Sequence, residues 1–186
     1  PEHVLDVWSY ADGAVVGWGY NGYGQTMVPA GLSNVVAIAA GGRYSLALKA
    51  DGTVVGWGDI TYGQATPPDS LSGNATAIAA GYWHSCAIQS GSGAVVCWGS
   101  NLYFGEVAGQ ATPPASVNGT SGSATAIAMG TYHSCAIQAG TGAVVCWGLD
   151  TSGQATAPAS VDGTAGAASA IAAGSGHSCA KRAGVG

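Results

Sequence analysis

Short apolar runs recur along the chain, each cut off by Gly, Pro, Asp, Ser or Thr. Three kinds return in a fixed order. The first mixes small and branched residues: Val35-Val36-Ala37-Ile38-Ala39-Ala40-Gly41, Thr76-Ala77-Ile78-Ala79-Ala80-Gly81, Thr125-Ala126-Ile127-Ala128-Met129-Gly130 and Ser169-Ala170-Ile171-Ala172-Ala173-Gly174. The second follows closely: Tyr44-Ser45-Leu46-Ala47-Leu48, His84-Ser85-Cys86-Ala87-Ile88, His133-Ser134-Cys135-Ala136-Ile137 and His177-Ser178-Cys179-Ala180. The third is Val15-Val16-Gly17-Trp18-Gly19, Val54-Val55-Gly56-Trp57-Gly58, Val95-Val96-Cys97-Trp98-Gly99 and Val144-Val145-Cys146-Trp147-Gly148. Runs this short and rich in Val, Ile and Trp, set between turn residues, predict strands. Ala11-Asp12-Gly13, Ala50-Asp51-Gly52, Gly91-Ser92-Gly93 and Gly140-Thr141-Gly142 join the second run to the third as hairpin turns. A loop ending in Gly-Gln closes each unit, at Gln25, Gln64, Gln110 and Gln154.

The residues Trp18, Trp57, Trp98 and Trp147 stand 39, 41 and 49 positions apart. Several strands in a period of that length mean propeller blades or an array. The expected fold is an all-β propeller of about four blades in one repeat domain, 1–186. Its units run approximately over 1–34, 35–73, 74–122, 123–166 and a partial 167–186. The segment Val4-Leu5-Asp6-Val7-Trp8-Ser9 is a fifth candidate for the second strand, without its His-Ser pair. The Cys179 hairpin lacks a Trp-Gly partner within the sequence. Three architectures fit: an arc excised from a larger ring, a closed four-blade ring, or a unit completed by assembly through its open edges.

Composition narrows the class. Of 186 residues, 32 are Gly, 47% are hydrophobic and only 7% are charged, so the chain is neither disordered nor built of long amphipathic helices. Gly has no three-residue period, which excludes collagen. No apolar run reaches the roughly 20 residues of a membrane-spanning helix. The net charge is −5, and the four basic residues Arg43, Lys49, Lys181 and Arg182 are too few and scattered to neutralise phosphates, which argues against nucleic acid. The chain opens without an initiator Met or a signal peptide, the mark of a processed, excised or incomplete chain.

The motif Ala-Gly-x-x-His-Ser-x-Ala, then Val-Val-x-Trp-Gly, then a loop ending in Gly-Gln resembles the regulator of chromosome condensation repeat family. In style it is most similar to the short bacterial repeats of the propeller-type β-lactamase inhibitors. The resemblance implies a β-propeller. Such rings usually have seven blades, which at this period needs roughly 300 residues. In the inhibitor family an aromatic loop face binds the target enzyme. Nucleotide exchange on a small GTPase with chromatin binding, another role in the family, fits poorly with so few basic residues. The Gly-Trp-Arg-His-Thr motif of the related plant ultraviolet-B photoreceptor is matched only by Tyr82-Trp83-His84, without the Arg.

Five Cys fall at two repeat positions. A turn centred on Gly91-Ser92 opposes Cys86 to Cys97, and one centred on Gly140-Thr141 opposes Cys135 to Cys146. Opposed Cβ atoms lie within disulfide reach. The other units carry Val7 with Gly17 and Leu46 with Gly56 at these places, so Cys enters and leaves both positions together. Two disulfides are expected, against the alternative of paired buried thiols, and they imply an extracellular or periplasmic location. Cys179 is left over, either inert, linked to another chain, or parted from its partner. No Cys-x-x-Cys spacing supports a metal site, and no cofactor is expected. Asn74-Ala75-Thr76 and Asn118-Gly119-Thr120 are candidate glycosylation sequons, equally explained by chance in a Thr-rich chain.

Candidate chemistry is sparse. His84, His133 and His177 recur once per unit, with Tyr44 at the same place. A repeated position reads as structural, a side chain bonding the backbone beside a Gly-rich bend. Ser85, Ser134 and Ser178 follow directly, and neighbours on a strand face opposite ways, so His-Ser is no nucleophile–base pair. Enzyme activity is not expected. Tyr20, Tyr23, Tyr62, Tyr103 and Phe104 lie in the loops after Trp-Gly, and Tyr82, Trp83 and Tyr132 in another loop. Rigid loop aromatics suit contact with a protein or glycan, or pack between blades. The reading is a non-enzymatic, secreted structural module that self-associates through open blade edges. The alternative is a binding module, a protein inhibitor or lectin-like propeller using the aromatic loops.

Overall fold

A computed structural model describes residues 13–184. The first three-stranded sheet comprises β1 (Val35–Ala40), β2 (Tyr44–Lys49) and β3 (Val54–Gly58). The second comprises β4 (Ala75–Ala80), β5 (His84–Gln89) and β6 (Val95–Gly99). A small ribbon of β7 (Leu102–Tyr103) and β8 (Glu106–Val107) follows it. The third sheet comprises β9 (Ala124–Met129), β10 (His133–Gln138) and β11 (Val144–Gly148). The last pairs β12 (Ala168–Ala173) with β13 (Ser178–Arg182). Apart from the single 3₁₀ turn Asp69–Leu71, no helix is found among the described residues.

Each sheet is an antiparallel meander in a shared register. Ile38, Ile78, Ile127 and Ile171 stand opposite Ala47, Ala87, Ala136 and Ala180. Ser45, Ser85 and Ser134 stand opposite Trp57, Trp98 and Trp147. The first strands neighbour one another in turn, β1 beside β4, β4 beside β9 and β9 beside β12. The Ala-rich runs permit that close approach. The middle strands are the most buried, with Leu46, Ala47, Cys86, Ala87 and Ala136 wholly covered. Burying one such Leu is worth roughly 1.5–3 kcal/mol. Each join has its own core. One groups Leu46, Val54 and Leu71 with Trp98 of the next blade, and the second groups Cys86, Val95 and Val117 with Trp147. The result is an arc of propeller blades held by contacts between neighbours.

The expected strand Val15–Gly19 is not one among the described residues, and Val16 and Trp18 are exposed. Its expected hairpin partner, Val4 to Ser9, and most of the Ala11-Asp12-Gly13 turn lie outside the described residues. Among the described residues no strand pairs with Val15–Gly19, so it has no ladder to join there. The Cys179 strand forms as β13, with no third strand beside it among the described residues.

Candidate binding face

The start of each middle strand lies opposite the end of each third strand: Tyr44 faces Gly58, His84 faces Gly99 and His133 faces Gly148. The loop before the middle strand and the loop after Trp-Gly therefore emerge at one end of every blade. The glycine after Trp makes the junction. Gly58, Gly99 and Gly148 have φ of 101°, 98° and 102°. A Cβ there would stand 2.7, 2.6 and 2.6 Å from the carbonyls of Arg43, Trp83 and Tyr132. The following N–H groups, of Asp59, Ser100 and Leu149, donate to those same carbonyls at 3.0, 2.8 and 2.8 Å. Glycine thus ties the two aromatic loops together.

Every expected loop aromatic is found on this end, and the pairs cross from blade to blade. Tyr62 meets Trp83 edge to face at 5.3 Å, and Tyr82 packs on Trp83 at 4.7 Å. One join further on, Tyr103 meets Tyr132 at 4.9 Å and Phe104 at 4.6 Å. At the first join Tyr20 lies 6.4 Å from Tyr23, and the Arg43 guanidinium sits between Tyr23 and Trp83, at 4.3 and 5.0 Å. The loop aromatics divide into two groups by burial. Tyr82, Trp83, Tyr103 and Tyr132 are half-buried between blades, whereas Tyr20, Tyr23, Tyr62 and Phe104 are exposed. Arg43 was visible in the sequence only as one of four cations. Its place between two rings depends on loops of adjacent units.

The His and Ser positions also join blades, which corrects the expectation of a local backbone contact. His84 Nε2 lies 2.8 Å from Ser134 Oγ, and His133 Nε2 lies 2.9 Å from Ser178 Oγ. Ser134 and Ser178 donate to the carbonyls of Gln110 and Gln154. Each serine has one proton, so the histidine Nε2 is the donor in both pairs. That tautomer cannot take a proton from the serine. Burial pushes the His84 pKa down to about 3, and His133 nearby acts in the same direction. The His133 pKa is lowered mainly by burial too. Gly81 makes the imidazole fit, since a Cβ there would stand 2.7 Å from His84 Cε1. Tyr44 takes the histidine's place one blade earlier. Its hydroxyl donates to the His84 carbonyl at 2.5 Å, and burial raises its pKa.

Cys86 is bonded to Cys97 and Cys135 to Cys146, with Cα atoms 4.1 and 4.0 Å apart. Cys179 is exposed and unpaired among the described residues. Asn74 and Asn118 lie at the hairpin-turn end, away from the aromatics. Asn74 accepts from Ser90 N through its carbonyl, and Asn118 Nδ2 donates to Pro113. Among the described residues no three His, Cys, Asp or Glu converge on a metal-sized site, and no helix is long and apolar enough to cross a membrane.

The regulator of chromosome condensation (RCC1) repeat model matches residues 35–64, 75–105 and 124–154. No curated protein sequence matches the chain. Among solved structures, the CRINKLY WD40 ectodomain of the Arabidopsis thaliana receptor kinase ACR4 is 27% identical, with a TM-score of 0.62 over 78% of this chain and 46% of that one. The ectodomain of the Physcomitrella patens receptor kinase CR4 is also 27% identical, with a TM-score of 0.61 over 80% of this chain and 35% of its own. Prp20p of Saccharomyces cerevisiae, 21% identical, shares the fold with a TM-score of 0.61 over 88% of this chain and 44% of its own. The chain spans less than half of each. Repeat matches, strand register and neighbours agree, and the chain belongs to the regulator of chromosome condensation (RCC1) repeat family.

Proposed function

We propose that this chain is a non-enzymatic protein-binding propeller segment that works outside the reducing cytosol, in an extracellular or periplasmic setting. Its contact surface is the face carrying Tyr20, Tyr23, Tyr62 and Phe104. One observation carries the reading: at consecutive blade joins exposed Tyr62 is braced by half-buried Trp83 and exposed Phe104 by half-buried Tyr103. Aromatics and Arg held rigid before contact lose little entropy on binding, which is why they dominate interfaces. Prp20p is described as binding Gsp1p and histones, and yeast RCC1 as bound to Kap60, so related propellers take protein partners. The two disulfides support the oxidising location. The test captures proteins from the source's extracellular fraction on the wild-type chain and on a Tyr62→Ala/Phe104→Ala variant. Loss of a captured protein with the variant alone supports the proposal. Equal capture, or binding to immobilised glycans instead, refutes it.

A second reading, a structural role through self-association at open blade edges, is supported by a separate observation: among the described residues β13 has no third strand beside it and Trp18 is exposed.

A further inference from the structure

One loop on the aromatic face is built unlike its counterparts. The closing Gln follows Gly19, Gly58 and Gly148 by 6 positions each, but follows Gly99 by 11. The extra residues form the β7–β8 ribbon, with Leu102 opposite Val107 and Tyr103 opposite Glu106. Phe104 and Gly105 are its two-residue turn, with φ of 46° and 88°. Positive φ at both positions makes the hairpin turn that Asn-Gly fills best. Phe in the first place is strained, because a bulky side chain disfavours that region. The other non-glycine at positive φ among the described residues is Asn34, a type that tolerates it. Burial does not offset the strain. Phe104 is the only Phe of the chain, and it is 89% exposed.

The ribbon stands on a fixed root. The Asn101 carbonyl accepts from the N–H groups of Ala108 and Gly109, and its Oδ1 accepts from Ala111 N. Wholly buried Gln110 donates from Nε2 to the Leu102 carbonyl at 3.1 Å. Tyr103 packs between the tip and the next blade, touching both Phe104 and Tyr132. Glu106 is the one charge on the ribbon, exposed and without a basic partner among the described residues.

We infer that Phe104 is an anchor kept for contact rather than for the fold. It enters an apolar pocket of a protein partner, sized for one aromatic ring, with a basic group at the rim facing Glu106. The inference rests on the aromatic-face reading and adds the chemistry of the partner. Strain at an exposed position is a mark of function, since the fold gains nothing from it. A projecting ring is desolvated fully only by a concave surface. The clamped root leaves little entropy to lose on docking.

The test separates fold from contact. Phe104→Asn supplies the residue the turn prefers, so its urea midpoint should rise above that of the wild type. A fall would show that Phe104 serves the fold, and overturns the inference. The pocket is mimicked by β-cyclodextrin, an apolar cup that takes one aromatic ring, and by its amino-substituted form, whose rim is cationic. Incorporated para-fluorophenylalanine labels Phe104 alone. Its fluorine resonance should shift saturably with both hosts, and at several-fold lower concentration with the cationic one. Glu106→Gln should remove most of that preference. A resonance that does not move, or a preference unchanged by Glu106→Gln, overturns the inference. Capture from the extracellular fraction then completes the comparison. Loss of a captured protein with Phe104→Asn, in a chain more stable than the wild type, supports the anchor. Capture lost with Tyr62→Ala/Phe104→Ala but unchanged with Phe104→Asn overturns the anchor and leaves the aromatic face standing. Capture unchanged by either overturns both.

Discussion

Trp98 donates from its indole Nε1 to the backbone carbonyl of Gln64 at 2.9 Å, across the join between two blades. Ser85 Oγ lies 2.7 Å from the same oxygen. One carbonyl thus holds two side chains of the next blade, from two different strands. Trp98→Phe keeps most of the ring and removes the indole donor. It should destabilise the chain by about 1–3 kcal/mol, the sum of a lost buried hydrogen bond and a small cavity. Trp18→Phe, at an exposed site, should stay within about 0.5 kcal/mol in monomeric conditions. Urea unfolding of both variants checks the contrast.

The Cys86–Cys97 bond closes a short loop, its two residues 11 positions apart. Cys86→Ser with Cys97→Ser should cost about 2–3 kcal/mol through the freer unfolded chain. The β1–β3 blade holds Leu46 opposite Gly56 at this place, with Leu46 wholly buried. Cys86→Leu with Cys97→Gly should therefore lose less stability than the serine pair, because Leu restores buried apolar area. Thermal melts of both double variants decide it, and equal losses would show that the bond alone matters.

The repeat strands and the Cys register were legible because each depends on residues within one hairpin. Cys86 and Cys97 face each other by counting outward from a turn. The blade joins were not legible in that way. His84 and Ser134 are 50 positions apart, and the alternation of His84 and Ser85 on their own strand says nothing about a serine on the next blade. The same holds for Arg43, whose ring partners Tyr23 and Trp83 come from units on either side. The aromatic loops could be placed on one end from strand order, but their division into braced and exposed rings needed the twist between blades. Val15–Gly19 shows the converse: it repeats the sequence of β3, yet among the described residues it pairs with no strand and is not one.

His84 is neutral and buried in the fold, with its pKa pushed down to about 3 against about 6.5 when unfolded. The unfolded chain therefore binds one more proton over that interval. Stability is full above pH 6.5 and falls as the pH drops toward 3, by up to about 1.4 kcal/mol per pH unit for this residue. His133 is shifted the same way. Chemical denaturation between pH 7.5 and about 5.5, above the range where carboxylates titrate, should show the decline. His84→Gln should flatten it, whatever its effect on stability at pH 7.5.

Arg43 stacks on Tyr23 and Trp83 without a carboxylate within salt-bridge distance among the described residues; the ion pair found there is Lys49–Asp51. Arg43→Ala should cost no more than about 1 kcal/mol in stability, the range for a partly exposed cation–π contact. It should also loosen the Trp83 ring and weaken partner capture. Arg43→Lys should restore stability in part, having the charge without the flat stacking surface. Unfolding and capture measured on the same preparations separate the two effects.

Gly99 and Gly105 offer the sharpest test of how the aromatic face is held. Both have positive φ, 98° and 88°, where a side chain is strained whatever its surroundings. A Cβ on Gly105 would meet nothing within 4 Å, whereas one on Gly99 would stand 2.6 Å from the Trp83 carbonyl. Gly105→Ala should therefore cost only the backbone strain, about 1–2 kcal/mol. Gly99→Ala carries that strain and must also push the Trp83 carbonyl away from Ser100 N, which donates to it at 2.8 Å. It should be the more damaging of the two in urea unfolding. It should also displace Trp83 from Tyr62 and Tyr82, which Trp fluorescence and side-chain nuclear Overhauser contacts would register. If the two variants lose equal stability and Trp83 keeps its contacts, the glycine after tryptophan serves the turn alone and does not set the binding face.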